Sequence, residues 1–296
     1  MNGKLNANTS KDLIFRIFSR NPRERELLSS KHLLIVGVGS VGSAIALMAA
    51  RAGIGKFTLI DPGALTPENV RRHFCDLSQI GRSKAYAISE LIRRINPQAM
   101  VAAYAEDFRK MDRQVMASAF DDDALIVAAT DSFECQSLVN QLSLEEGIPS
   151  IYIGCLGQAT MGEILYVVPG RTACFECCAG FRRKTEALSL TEALSLNDSG
   201  KYTHLAFDQT KVPGQEELLT NILIICGFAF QIMLALLGDE QYGKRLLDFE
   251  HTLLLVNVGG FDSPLAPLAV TPATVEKGCA TCDEGKFAVM MEGALK

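Results

Sequence analysis

A chain of 296 residues with 48% hydrophobic and 21% charged content is long enough to bury a large core, as one big domain or two modest ones. A net charge of −5 and a pI near 5.5 leave no broad basic field, which excludes sequence-independent attraction to nucleic acid or to an anionic membrane. The polar start, MNGKLNANTSKDL, lacks the apolar core of a signal peptide, so the expected compartment is the cytoplasm, where nine cysteines read as thiols or metal ligands rather than a disulfide framework.

His32–Gly37 (HLLIVG) is a short apolar run ending in glycine, and the helix-like stretch Ser40–Ala52 follows it, as in the first strand and helix of a βαβ unit. Lys56–Asp61 (KFTLID) supplies the next strand, Ser83–Ile95 a charged amphipathic helix, Met100–Ala105 a strand and Ala124–Ala129 (ALIVAA) a fourth. Phe133–Glu146 reads as a helix and Ser150–Cys155 as a fifth strand. This alternation predicts an α/β fold: a doubly wound, Rossmann-like, mainly parallel sheet that binds ligands beyond the strands' carboxyl ends. After Gly162 the alternation stops, and Glu163–Val168, Leu246–Glu250 and Leu253–Val258 read as antiparallel strands extending the same sheet.

Between them, residues 179–212 are polar and irregular and carry a tandem hexapeptide, TEALSL at Thr185–Leu190 and again at Thr191–Leu196. Two copies make no solenoid. The stretch reads as a slipped duplication in a helical or mobile segment, with a lid as the alternative. Ile222–Leu237 (ILIICGFAFQIMLALL) is strongly apolar, but its sixteen residues include Gln231 and fall short of the about 20 that span a bilayer. A buried helix is expected there, and no membrane partner.

Three groups of residues carry chemistry. Gly37-Val38-Gly39-Ser40-Val41-Gly42 lies between strand and helix, and Asp61 ends the next strand. Glycines in that place let backbone amides approach phosphates at a helix N-terminus, and an acid about 20 positions on accepts hydrogen bonds from ribose hydroxyls. The order predicts a nucleotide site; alone it fits NAD, FAD or ATP equally, and glycines also occur where packing needs them. The second group is Asn69-Val70-Arg71-Arg72-His73, Ile80-Gly81-Arg82-Ser83-Lys84 and Thr130-Asp131-Ser132. A dinucleotide fold does not require these cations. A triphosphate cleaved at its α-phosphorus does, because Arg and Lys stabilise charge growing on phosphate oxygens and a carboxylate holds magnesium. Taken singly, Arg71 and Arg72 read as a solvated charge pair and Lys84 as a surface residue at a helix start.

The third group is Cys174-Phe175-Glu176-Cys177 with Cys279-Ala280-Thr281-Cys282. Two CxxC pairs have the spacing of a closed, structural four-thiolate zinc site that ties the tail to the middle of the chain; a redox dithiol is the alternative. Of the other cysteines, Cys155 in a strand and Cys226 in an apolar helix read as core residues. Cys75, after the arginine-rich loop, and Cys178, beside a zinc ligand, would be reactive only with a lowered pKa. His73 adjoins Arg72 and is placed to touch a nucleotide, whereas His32, His204 and His251 have no partner pattern.

GVGSVG, LIDPGALTPENVRRHF, IGRSKA with INP shortly after, ATDS and the two CxxC pairs occur in that order. Over about residues 16–282 the chain thereby resembles the adenylating enzymes of the ThiF/MoeB/HesA group and the adenylation domains of ubiquitin-activating enzymes. The resemblance implies an adenylyltransferase that uses ATP, Mg2+ and Zn2+ to activate the C-terminal carboxylate of a small ubiquitin-like or sulfur-carrier protein ending in glycine, with release of pyrophosphate. It implies that Gly37, Gly39, Ser40 and Gly42 border the nucleotide and that Asp61 holds the ribose. Asn69, Arg72 and Lys84 would contact the phosphates, and Asp131, with Ser132 beside it, would coordinate magnesium. It further implies a homodimer in which an arginine of the second subunit completes the site. Phe18-Ser19-Arg20-Asn21 is similar to that motif, with Arg20 the first candidate and Arg16 the second. The apolar helix over Thr220–Leu237 is the expected interface, since one of its faces is too apolar to leave in water.

The expected organisation is an N-terminal helical segment over 1–30, a nucleotide-binding half over 31–170 and a zinc-bound half over 171–296 whose antiparallel strands guide the carrier's tail, all one integrated domain. Two departures stand out. Ser40 occupies a position where many relatives have glycine, and residues 179–212 hold no cysteine, where relatives that go on to a thioester or persulfide carry one. Rival readings are an NAD-dependent oxidoreductase, which leaves Arg72, Lys84 and the paired cysteines unused, a non-catalytic partner of a related enzyme, and an enzyme that adenylates a short peptide.

Overall fold

The computed structural model describes residues 22–112, 116, 123–156, 159, 161–178, 219–238, 247, 249, 252–258, 268–271, 275, 279, 281 and 282. Arg16, Arg20 and the 179–212 stretch lie outside them. The elements run α1 (Pro22–Ser30), β1 (His32–Val36), α2 (Ser40–Ala52), β2 (Lys56–Ile60), α3 (Lys84–Ile95), β3 (Met100–Tyr104), β4 (Ala124–Ala128), α4 (Phe133–Glu146), β5 (Ser150–Leu156), β6 (Met161–Val167), α5 (Leu219–Leu237), β7 (Leu253–Asn257) and β8 (Leu268–Thr271). One eight-stranded sheet of order β3-β2-β1-β4-β5-β6-β7-β8 takes in both halves. It is parallel from β3 to β5 and antiparallel from β5 to β8.

The central strands β1 (HLLIV) and β4 (ALIVA) are buried along their whole length, which is why they read as unbroken apolar runs rather than alternating ones. Leu33, Ile35, Leu125 and Val127 enter the core shared with α2, α3 and α5, while Leu34, Val36, Ile126 and Ala128 enter the one shared with α4 and the paired cysteines. Helix α2 is rich in small residues and buried through Gly42–Leu47, so α3 and α5 both pack directly on it.

Helix α5 has 19 residues, long and apolar enough to cross a membrane, so the length argument against a span does not hold. Its packing places it in the core: Ile222, Ile225, Cys226, Ala229 and Met233 are fully buried, against α2 and strands β4 to β6. The other side of the helix carries Ile224 and Phe228, 46% and 40% exposed.

One strand expectation is corrected and one strand is added. Of Leu246–Glu250, the described residues Leu247 and Phe249 lie in no strand; the Phe249 ring meets the Arg171 guanidinium, 4.0 Å from its centroid, in a cation–π contact. Strand β8 (LAVT) was not expected. It is four residues long, too short to show an alternation.

Candidate functional site

Strand β1 has β2 on one side and β4 on the other, so the connections leave in opposite directions and a crevice opens at the carboxyl ends of β1 and β4. The register pairs Val36 with both Ile60 and Ala128. Gly37, Asp61 and Ala129 therefore follow three level strand ends, although they come from distant parts of the chain. The Gly37 N–H donates to the Ile60 carbonyl at 2.9 Å and the Ala129 N–H to the Val36 carbonyl at 2.8 Å.

The three glycines of the loop do different things. Gly37 has φ +90°, and a Cβ on it would lie 2.5 Å from the Ala129 carbonyl oxygen; one on Gly42 would lie 1.9 Å from the Gly37 carbonyl oxygen. Both are required by the protein's own packing. A Cβ on Gly39 would meet nothing within 4 Å, so the fold does not demand glycine there, yet Gly39 borders the crevice.

Asp61, 8% exposed, accepts the Val38 N–H on Oδ2 at 2.6 Å and the Gly63 N–H on Oδ1 at 2.7 Å. These charge-assisted bonds offset the cost of burying the carboxylate, and each oxygen keeps a lone pair for a further donor. His73 is buried beneath the same loop, with Nε2 2.8 Å from the Val38 carbonyl oxygen, and its Nδ1 accepts the Cys75 N–H at 3.1 Å. With Nδ1 an acceptor, the proton sits on Nε2 and the ring is neutral. Burial pushes its pKa down, Lys84 and Arg72 add to that, and the Val38 carbonyl and Asp61 oppose it.

The chain between β2 and α3 folds back on itself. Leu65 N–H donates to the Arg82 carbonyl at 2.8 Å and Lys84 N–H to the Gly63 carbonyl at 3.0 Å, around the bridge between Ala64 and Ser83. Lys84 is thereby brought beside the end of β2, where its Nζ stands 3.3 Å from where a Gly63 Cβ would be. Asn69 spends its Oδ1 on the Thr66 N–H in a capping box, and its carbonyl accepts from Arg72 and His73 N–H at 3.0 and 2.8 Å. The turn so made brings both Arg72 and His73 to the crevice, with the His73 ring tucked under the glycine loop. On the facing wall, Ser132 caps α4, its Oγ accepting the Cys135 N–H at 3.3 Å. The buried Gln136 donates from Nε2 to the Thr130 carbonyl at 2.8 Å, which pins the loop carrying Asp131 from behind.

The crevice has a polar end, with Gly39, Ser40, Asn69, Arg72, Lys84, Asp131 and an edge of the His73 ring, and an apolar wall of Val41, Ile153, Cys155 and Ile222. Cys155 is thus half-buried, packed against the core and also part of the crevice wall. Gly37 and Gly42 serve packing, and Ser132 serves the helix cap. Sequence reasoning missed Gln136 and Ile222. Gln136 lies one helical turn past Ser132, and Ile222 reaches the site from α5, at a separation no local pattern encodes.

Cys174, Cys177, Cys279 and Cys282 converge, their sulfurs all within 4.8 Å of one another. Cys174 Sγ lies 3.7 Å from that of Cys177 and 3.8 Å from that of Cys279, and the Cys177 and Cys282 sulfurs are 3.3 Å apart. A tetrahedron with arms of about 2.3 Å has edges of about 3.8 Å, so this donor set fits a four-thiolate metal ion. The redox alternative needs only one pair and leaves the convergence of two unexplained. Helix α4 holds this knuckle: Asn140 Oδ1 accepts the Phe175 N–H at 3.0 Å and Ser137 donates to Glu176, while the Phe175 ring stacks on Tyr152 at 4.7 Å. Burial pushes Cys75 up to about 11, so it is no ready thiolate.

The sequence is 32% identical over 162 residues to Ubiquitin-like modifier-activating enzyme 5 of Caenorhabditis elegans, covering 52% of this chain and 39% of that protein. The figures for Ubiquitin-like modifier-activating enzyme 5 of Dictyostelium discoideum are 30% over 161 residues, 51% and 42%. The match thus spans about two fifths of the length of these relatives. Among solved structures, E. coli MccB with ATP aligns at a TM-score of 0.65 and 18% identity over 94% of this chain and 74% of that one. PaaA aligns at 0.63 and 16% over 92% and 76%. At these identities the structures establish the fold alone. The ThiF family model matches residues 9–273, a span that holds the glycine loop, Asp61, the Asn69 to Lys84 turn, Asp131 and the first cysteine pair, and on that match the chain belongs to the ThiF family.

Proposed function

We propose that this chain adenylates a C-terminal carboxylate with ATP. The observation that carries the reading is the meeting of Asn69, Arg72, Lys84 and Asp131 with the open side of Gly39 in one crevice at the reversal point of the sheet. A carboxylate oxygen attacks the α-phosphorus, the bond from that phosphorus to the bridging oxygen breaks, and pyrophosphate leaves with the electron pair. No protein nucleophile and no proton transfer are required, so catalysis consists of placement and charge stabilisation. The amide of Gly39 borders the phosphates, and Asp61, already oriented by two backbone donors, holds the ribose. Asn69 offers the amide NH2 left over from its cap, and Arg72 and Lys84 neutralise charge as it grows. Asp131 would hold Mg2+, an oxygen-seeking ion that screens the phosphate charge. Cys174, Cys177, Cys279 and Cys282 would hold Zn2+ as a structural cross-link, in keeping with a reducing, cytoplasmic setting.

The substrate we infer is a small ubiquitin-like or sulfur-carrier protein ending in glycine. The named relatives activate ubiquitin-like modifiers. A peptide substrate is the second reading, favoured by MccB having been solved with N-formylated MccA. Exchange of labelled pyrophosphate into ATP, run with candidate carriers and peptides ending in free carboxylates, separates the two; exchange with none of them refutes the reading.

The glycine loop supplies a sharper check. Gly42→Ala forces a Cβ onto a backbone oxygen and is expected to destabilise the fold by at least about 1–3 kcal/mol. Gly39→Ala has room in the fold, so its thermal midpoint is expected to stay put while ATP affinity falls at least about tenfold, through a displaced backbone donor. Equal affinity in Gly39→Ala would remove the glycine loop from the phosphate site.

We further propose a homodimer formed across the outer face of α5, where Ile224 and Phe228 form an i, i+4 apolar pair, with Arg20 serving the neighbour's site. Mixing Arg20→Ala chains with Asp131→Ala chains tests this. An arginine acting across the interface lets an exchanged heterodimer recover one intact site, up to about a quarter of wild-type activity at random mixing. No recovery after demonstrated subunit exchange would contradict the trans arrangement.

A further inference from the structure

We propose that His73 is a positioning residue that aims the Gly39 amide at the nucleotide's phosphates. The inference rests on the reading of the crevice as a nucleotide site. The Val38 carbonyl and the Gly39 N–H belong to one planar peptide unit and point in opposite directions, so whatever fixes the carbonyl fixes the amide. The imidazole does this, with Nε2 2.8 Å from the Val38 oxygen. At the other end of the same residue, the Val38 N–H is held by Asp61 at 2.6 Å. Val38 is thus clamped at both backbone atoms, one by the carboxylate that ends β2 and the other by a ring delivered from the Arg72 turn. The clamp is needed because the residues on either side are Gly37, at φ +90°, and Gly39, with open space where a side chain would be. Two flanking glycines leave a peptide unit free to rotate, and a rotated unit would turn its N–H out of the phosphate site.

The imidazole is itself held. Its Nδ1 takes the Cys75 N–H at 3.1 Å, which forces the proton onto Nε2, the only tautomer that can donate to Val38. The ring is 4% exposed and the charged groups that face it are Asp61, Arg72 and Lys84, the last two from the same phosphate end of the crevice. A single turn, Asn69 to Cys75, therefore delivers both a cation for the phosphates and the donor that sets the glycine loop.

The test measures ATP and adenosine binding to the full chain by calorimetry, well below the unfolding midpoint, in wild type, His73→Leu and His73→Gln. Leucine fills the site without a donor, whereas the glutamine amide can replace Nε2. His73→Leu is expected to lose about thirtyfold in ATP affinity, the loss of one donor's alignment on a charged ligand, with little change for adenosine, and His73→Gln is expected to recover most of that loss. His73→Met serves as the donor-less variant should leucine not fold. A donor-less variant that binds ATP as wild type does, or that loses ATP and adenosine in equal proportion, overturns the role, and so does a glutamine variant as weak as the donor-less one. Wild type that binds neither ligand overturns the nucleotide reading itself.

Discussion

Arg72→Ala and Asp131→Ala are each expected to reduce substrate-dependent pyrophosphate exchange at least about a hundredfold, the range for removing one preorganised charge from a phosphoryl or acyl transition state. The fold should barely respond. Asp131 is exposed and Arg72 half-buried, and neither belongs to the buried clusters whose truncation costs a fold most. The combination of an unchanged unfolding midpoint with a collapsed rate is the signature of residues that act on phosphate charge rather than on packing. Near-wild-type exchange in either variant would remove that residue from the catalytic set. A rise in KM alone, with kcat intact, would assign it to ground-state binding.

Cys279→Ser is expected to produce the largest change in stability. The first pair sits on the α4 side of the sheet, gripped by Asn140 and Ser137, and Cys279 and Cys282 come from 105 residues further on. A closed thiolate site therefore staples the distal chain to the core. Structural zinc sites contribute on the order of 10 kcal/mol; loss of one of four ligands, taken as about 3 kcal/mol, should lower the midpoint by roughly 6–12 °C for a chain of this size. Metal analysis of protein purified without chelator should find about one zinc per chain, and the variant should keep its ATP affinity, because among the described residues the cysteine cluster shares none with the crevice. Protein free of zinc, or an unshifted midpoint in Cys279→Ser, would contradict a structural metal site.

Much of this architecture was legible because its signals are local. Ser40–Ala52 and Phe133–Glu146 were readable to the residue: the first opens after a glycine loop, the second is capped by Ser132 and ends before Gly147. The central strands were readable because burial on both faces makes them continuous apolar runs. The antiparallel extension showed in outline, but nothing local in Leu246–Glu250 announces that Phe249 lies outside a strand and meets Arg171. Within the site, the motifs marked Gly39, Asn69, Arg72, Lys84 and Asp131, and the strand register brings them into one crevice. The division of labour among the glycines was not legible, because Gly37, Gly39 and Gly42 look alike until the space around each is known. Nor was His73's bond to Val38 across 35 residues, or the arrival of Ile222 beside Cys155.

The most direct test of carboxylate adenylation follows oxygen. A carrier or peptide substrate labelled with 18O in its terminal carboxylate is incubated with ATP and the chain, and the activated acyl group is captured with hydroxylamine. If the carboxylate attacks the α-phosphorus, the acyl–oxygen bond breaks on capture and the AMP released carries one labelled oxygen, in amounts equal to the hydroxamate formed. Unlabelled AMP, or label found in inorganic phosphate beside ADP, would show that the carboxylate was never joined to the α-phosphorus and would contradict the account.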